Sequence, residues 1–353
     1  MNPYFSLNDY FLNEYGEKCY KIAIDAGFGC PNRDGKAGHG GCSFCSLQGS
    51  GDFAVSKSVG DINKQIEAGM AILQGRTLES AEASCQTSQS TASLKSKKVG
   101  DKFVAYFQAF TNTYSPTKQL RALYVEALSH PKIIGISIAT RPDCLGEDVL
   151  QLLAELKAEY PGKFIWVELG LQTCHEHTRS NLGIGYDGLV FEKAMADLKA
   201  LSLPVILHVI LGLPGESTED ILQTIDYVNG FKPFGVKLQL LHILKGSRMA
   251  TQYGIAEPTK ECLTYKADTH ELLPDLHIYT MEEYLEVLIS CIEHLDPDIC
   301  LHRVTGDGPK DILLTPLWSG HKKLVLGTLH HLMATQSTYQ GRLFHDSRST
   351  HTL

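Results

Sequence analysis

No run of this 353-residue sequence is long and apolar enough to span a bilayer. The longest, Val205 to Leu213, is far too short and carries a histidine. The opening residues, MNPYFSLNDYFLNEYGEK, hold neither a basic n-region nor an apolar h-region, so no secretory leader is expected. The expected setting is a soluble, reducing cytoplasm without membrane contact. Positive charge is also short. With 32 Lys and Arg against 40 Asp and Glu, the net charge is −8. A chain-wide nucleic-acid-binding surface is therefore excluded, because phosphate neutralisation needs clustered cations. A local basic mouth is not. Basic clusters at Leu94 to Lys98 and around His321, Lys322 and Lys323 read as solvated faces. Hydrophobic content of 43% suffices for a large core without staples, in two ordinary domains or one barrel-sized unit. In such a chain ten cysteines point to metal or catalysis rather than to disulfides.

The absence that decides most is that of a fourth cysteine. Cys30, Cys42 and Cys45 lie in the run CPNRDGKAGHGGCSFC, after the strand-like KIAID (Lys21 to Asp25). A closed zinc site takes four protein ligands. A [4Fe–4S] cluster on three thiolates leaves one iron open to another ligand. Glycines in the loop let backbone amides approach sulfur. The competing reading is a zinc loop completed by His39, in a non-enzymatic module; nothing nearby resembles a second Cys-X-X-Cys pair.

Beyond the loop, Val59 to Leu73 is spaced for a helix with one buried face. Residues 77–100 then turn Ser-, Thr- and Ala-rich, which predicts a mobile insertion in which Cys85 is no ligand. Strand-like runs follow at Phe103 to Gln108, Ile133 to Ala139, Phe164 to Gly170, Val205 to Leu211 and Val236 to His242. Their spacing is that of strand–helix–strand units. Ser115 with Pro116 marks one helix start, and Ser217 with Asp220 a capping box at another. Near-continuous apolar strands alternating with helices predict an α/β fold whose parallel sheet is buried on both faces. With KIAID there are six strands, which fit an open partial TIM-type barrel, (β/α)6, better than a closed eight. A short seventh, Ile299 to Val304, extends it. The strands run into Gln108, Thr140-Arg141, Glu168, Gly212 and Gln239, at the end where such folds place their sites. The expected division is an N-terminal extension over 1–20, a core over 21–305, and a C-terminal extension and tail over 306–353.

Several motifs in order carry a resemblance. The cysteine loop, YFQAFTNTY, ATRPD, VELGLQT and HVILGLPGE together resemble the YhcC-like, or YtqA-like, branch of the radical SAM superfamily. That branch is related to the elongator catalytic subunit and to MiaB-type tRNA-modifying enzymes. The resemblance spans roughly Tyr4 to Trp318, apart from the insertion. It implies reductive cleavage of S-adenosylmethionine at a [4Fe–4S] cluster, with an electron donor such as flavodoxin or ferredoxin. It implies Cys30, Cys42 and Cys45 as cluster ligands and Phe44 beside the adenine. Gln108 to Thr111 take the place of the segment binding the methionyl amine. Glu168 and Gln172 stand where ribose or carboxylate contacts occur, and Ile210 and Gly212 where a strand packs on adenine. A zwitterionic nucleoside would also need carbonyl acceptors, a carboxylate and an apolar slot on general grounds. The bland alternatives are loop caps for the glutamines and a paired interior carboxylate for Glu168.

Arg141, His302 and Arg303 are candidate substrate contacts, with surface ion pairs as the alternative. His208, His242 and Lys237 read as interior residues. Two departures stand out: NLGIGYD (Asn181 to Asp187) lacks an arginine expected near Ile184, although Arg179 is close, and Gln239 replaces an expected histidine. The implied substrate is the wobble uridine of tRNA, with carboxymethylaminomethyl converted to aminomethyl. Arg141, Arg303 and Lys322 are the candidates for a basic mouth. The chain has no room for an elongator-type acetyltransferase domain, and no second cysteine triad or TRAM-like domain, which disfavours methylthiolation. A small metabolite or a protein side chain is the alternative substrate.

Overall fold

The structure is a computed structural model that describes residues 2–75, 100–255, 275–306 and 308–345. The Ser/Thr-rich insertion up to residue 99, Cys85 and the terminal STHTL lie outside the described residues. Strands β1 (Tyr20–Ile24), β2 (Phe103–Phe107), β3 (Ile133–Thr140), β4 (Phe164–Gln172), β5 (Val205–Leu211), β6 (Gly235–Leu240) and β8 (Cys300–Arg303) form one sheet in that order. Every pairing is parallel. The seventh strand thus joins the six read from the sequence, in a curled half-barrel. A separate ribbon pairs β7 (Ile243–Leu244) antiparallel with β9 (Leu313–Thr315). No helix among the described residues is long and apolar enough to cross a membrane.

Period-two alternation splits each strand between two environments. On β4, Val167, Leu169 and Leu171 face outward into the apolar layer under the helices. Phe164, Trp166 and Glu168 share the inner face. That layer is continuous from Tyr4 through Leu288 to Leu329, so it draws on all three predicted segments. The helix Thr218–Phe231 starts at the predicted capping box of Ser217 and Asp220. At Ser115-Pro116 the sequence reading is off by one. Pro116 is the cap, Thr117 opens the helix, and Ser115 Oγ donates to Gln119 instead.

An aromatic plug closes the N-terminal end of the barrel. Helix Leu7–Tyr15 brings Phe11 against Trp166, with ring centroids 5.9 Å apart, and Tyr10 edge-on to Phe234 at 5.0 Å. Trp166 also stacks on Phe164 at 4.0 Å. Residues near both ends of the described chain meet on this underside. Gln340 accepts from Phe5 N and donates to the carbonyls of Asp296 and Ile299, just before β8. With that end packed, the cavity described below lies towards the strands' C-terminal ends.

Candidate active site

The cysteine loop crosses this open end and is pinned by backbone bonds from several elements. Ser43 N donates to Leu182 O at 2.9 Å, and Met249 N to Ser43 O at 2.8 Å. Phe110 N donates to Gly49 O, Thr111 N to Gly29 O, and Gln108 Nε2 to Ser50 O at 2.7 Å. Gly49 is needed there, because a Cβ would stand 2.3 Å from the Phe110 ring. Cys30, Cys42 and Cys45 all line one cavity of about 240 Å³ beneath the loop.

Their chemistry fits a cluster. Asn32, itself 2% exposed, donates from Nδ2 to Cys42 Sγ at 3.3 Å. Burial pushes the Cys42 thiol up to about 12, and the neighbouring Cys45 adds to the rise. Burial also raises Cys45, against the opposing pull of Arg33. Such thiols ionise when a metal takes the sulfur. Among the described residues no three His, Cys, Asp or Glu side chains stand close enough to share one ion. Three thiolates on separate irons need not. His39 lies in a different groove, with Asn32, Gly38 and Arg248, so the zinc reading lacks its fourth ligand.

Most of the residues singled out from the sequence meet in this cavity. Phe44, Gln108, Thr111, Glu168, Gln172, Ile210, Arg141 and Arg303 line it with the cysteines. Phe44, Cys42, Ile184 and Ile210 share one apolar cluster near the mouth. Gln172 sits at a register slip with φ +66°, and Phe110 and Ser50, both also lining the cavity, have φ of +60° and +64°. Strain of this kind concentrates at functional sites. Arg141 is 8% exposed and largely occupied within the protein. It grips Asp143 through Nε and Nη2, donates from Nη1 to Ile184 O at 2.9 Å, and lies over the Tyr186 ring.

Three expectations change. Gly212 does not line the cavity. Its φ is +85°, and a Cβ there would stand 2.8 Å from the Tyr279 ring, in a separate crevice. His302 is not at the mouth either. Its ring packs edge-on to Trp166 at 5.3 Å and Phe234 at 5.4 Å, and its Nε2 has no hydrogen-bond partner among the described residues. The β8 register explains this: Val236 pairs with Leu301 but Lys237 with Arg303, so His302 is skipped. Glu168 is mid-strand, four residues before β4 ends at Gln172, and so lies at the cavity floor. Arg179, close to the place of the expected arginine, is a strut outside the cavity, donating to Thr173 O and Glu176. Gln239 does line it.

The floor was not assembled by sequence reasoning. Glu168, 1% exposed, accepts from Lys21 at 2.6 Å, from Ser137, from His208 at 2.7 Å and from Lys237. Lys237 also donates to Tyr106 Oη at 3.0 Å. These donors hold Glu168 well below the usual carboxylate range despite its burial. Burial lowers Lys237 to about 7, with Glu168 opposing and Lys21 and Arg303 reinforcing the shift. His208 falls to about 4, chiefly by burial, and is neutral at physiological pH. One signal was available: each apolar strand carries a polar residue within its span, from Lys21 on β1 through Tyr106, Ser137, Glu168 and His208 to Lys237 on β6.

Comparison with known proteins agrees with the sequence motifs. The family model described as the Radical SAM superfamily matches residues 90–228, and the Radical_SAM C-terminal domain matches residues 273–334. YtqA of Bacillus subtilis is 36% identical over 341 residues, covering 97% of this chain and 92% of its own length. YhcC of Escherichia coli K12 is 33% identical over 304 residues, covering 86% and 84%. Among solved structures, Elp3 of Methanocaldococcus infernus, truncated by residues 1–46, shares the fold with a TM-score of 0.57 at 16% identity. That match covers 91% of this chain and 64% of Elp3.

Proposed function

The chain belongs to the radical SAM superfamily, in the branch of YtqA and YhcC, and from that membership we propose that it modifies the wobble uridine of tRNA. Its cofactors are a [4Fe–4S] cluster and S-adenosylmethionine, which when bound supply a 5′-deoxyadenosyl radical able to take hydrogen from carbon. Cys30, Cys42 and Cys45 would hold the cluster. Phe44, Gln108, Thr111, Gln172 and Ile210 are the proposed nucleoside wall, and a small acidic redox protein such as flavodoxin or ferredoxin is the proposed electron donor. Glu168, with donors on both oxygens, fixes the charge of the floor. The substrate side chain changes from carboxymethylaminomethyl to aminomethyl. In net terms the secondary amine loses two electrons and two protons, gains water, and releases its carboxymethyl carbons as glyoxylate. One electron and one proton leave together as the hydrogen atom taken from the methylene beside nitrogen; the other electron passes to a one-electron acceptor of the same class as the donor, an oxidised flavodoxin or ferredoxin, and the other proton leaves from nitrogen.

The observation that carries this reading is the mixed lining of the cavity. Apolar and aromatic groups, Phe44, Phe110, Tyr186 and Ile210, line it together with the cations Arg33, Arg141, Lys237 and Arg303. An unstacked base suits the first and a short anionic side chain the second. A small anionic metabolite is the second reading, favoured by the net charge of −8. Deleting the gene and profiling modified nucleosides of total tRNA tests the choice. Accumulated carboxymethylaminomethyluridine with loss of its aminomethyl descendants is expected. An unchanged profile in a host without a redundant enzyme would leave the metabolite reading.

A further inference from the structure

We propose that Arg303 and Lys237, at the cavity floor between β5, β6 and β8, form a subsite for a carboxylate of the substrate. The proposal rests on the cavity being the reaction chamber but not on tRNA being the substrate. Strand register builds the row: His208 pairs with Lys237, and Lys237 with Arg303, on three adjacent strands. All three line the cavity.

The two lysines of the floor outnumber the carboxylate they share. Lys21 and Lys237 both donate to Glu168. That carboxylate already accepts from four donors, two on each oxygen, which uses its lone-pair capacity. His208 supplies no negative charge. Lys237 is 4% exposed and spends two of its three N–H donors, on Glu168 and Tyr106. Its lowered proton affinity reports the same excess, since Lys21 and Arg303 both act against its charge. A buried cation without a full counter-charge is costly, and an incoming anion relieves that cost. A planar guanidinium beside an ammonium suits a carboxylate, with Arg303 as the fork and Lys237 as the point charge. Ile210 and Gln239 lie farther along β5 and β6, so a ligand anchored at the floor extends towards the cysteines.

Two molecules in such a chamber carry carboxylates, the substrate and S-adenosylmethionine, and the test separates them. With full-length protein carrying its cluster under anaerobic conditions, the dissociation constant of S-adenosylmethionine is measured for wild type, Arg303→Gln and Lys237→Met. At saturating S-adenosylmethionine, binding of the nucleoside 5-carboxymethylaminomethyluridine is compared with that of its neutral carboxamide. The wild type is expected to prefer the carboxylate by about tenfold or more, and both variants to lose that preference with S-adenosylmethionine affinity unchanged. Arg303→Lys, which keeps charge but not the fork, should hold an intermediate preference, and it decides the matter if Arg303→Gln does not fold. Preference that survives in every variant overturns the proposal. So does a tenfold loss of S-adenosylmethionine affinity with nucleoside preference intact. Acetate against acetamide at matched ionic strength supplies a probe independent of any nucleoside. If the nucleoside does not bind but acetate raises the melting temperature in an Arg303-dependent way, the subsite stands and the wobble-uridine reading falls. If nucleoside and carboxamide bind equally, the subsite falls and the wobble-uridine reading survives.

Discussion

Cys42 and Lys237 illustrate the same force acting on groups of opposite sign. Burial disfavours the thiolate of one and the ammonium of the other, so the charged form of each depends on a partner of opposite sign. For the cysteines the partner is the cluster. Cys42→Ala is expected to drop iron from about four per chain towards zero, with the far-ultraviolet circular dichroism unchanged, because the loop is held by other backbone bonds. Iron assay of anaerobically purified protein checks it. For Lys237 the consequence is thermodynamic. Its proton affinity in the fold, about 7, lies below its ordinary value of 10.5, so between those values the unfolded chain binds more protons than the folded one. Stability should therefore rise with pH from 7 to 9, by up to about 1.4 kcal/mol per unit from this group. Urea unfolding across that range should show the rise in wild type and a flatter profile in Lys237→Met.

Among the secondary-structure elements, the N-terminal helix has the least obvious role in sequence and a large one in the fold. Phe11 is 2% exposed and packs on Trp166 inside the barrel. Phe11→Ala should cost about 3–5 kcal/mol, read as a lower urea midpoint with an unchanged slope. The strands were legible because alternating helices force a parallel sheet and because each run is nearly all apolar. Val205–Leu211 matches its predicted span, and Ile299 to Val304 takes its place as the seventh strand. The cysteines were legible because their spacing is local. The floor was not, since Lys21, Glu168, Lys237 and Arg303 come from four strands and meet only through strand order and register. The β8 slip is a detail of backbone pairing, and it alone decides that Arg303 rather than His302 reaches the cavity. The left-handed backbone at Phe110 and Gln172 likewise had no sequence signal, because neither residue type favours it.

For the whole molecule, the half-barrel works as a vessel whose mouth lies at the strands' C-terminal ends. Aromatic packing seals one end and the pinned loop narrows the other, which keeps water away from the floor and strengthens every charge there. Gln340 ties Phe5 to the segment before β8 beneath that vessel. Gln340→Ala leaves two buried carbonyls without their donor and should destabilise the protein by about 1–3 kcal/mol while leaving iron content unchanged. Thermal unfolding together with iron assay checks both halves.

The meeting of Pro3 and Gln340, whose backbone N–H donates to Pro3 O at 2.9 Å, has a topological consequence. A short linker can join these positions, and the chain can be reopened elsewhere without disturbing the sheet order or the cysteine loop. Circular permutants of this protein are therefore buildable, and a reporter carried at Pro3 or Gln340 would sit on the face away from the mouth.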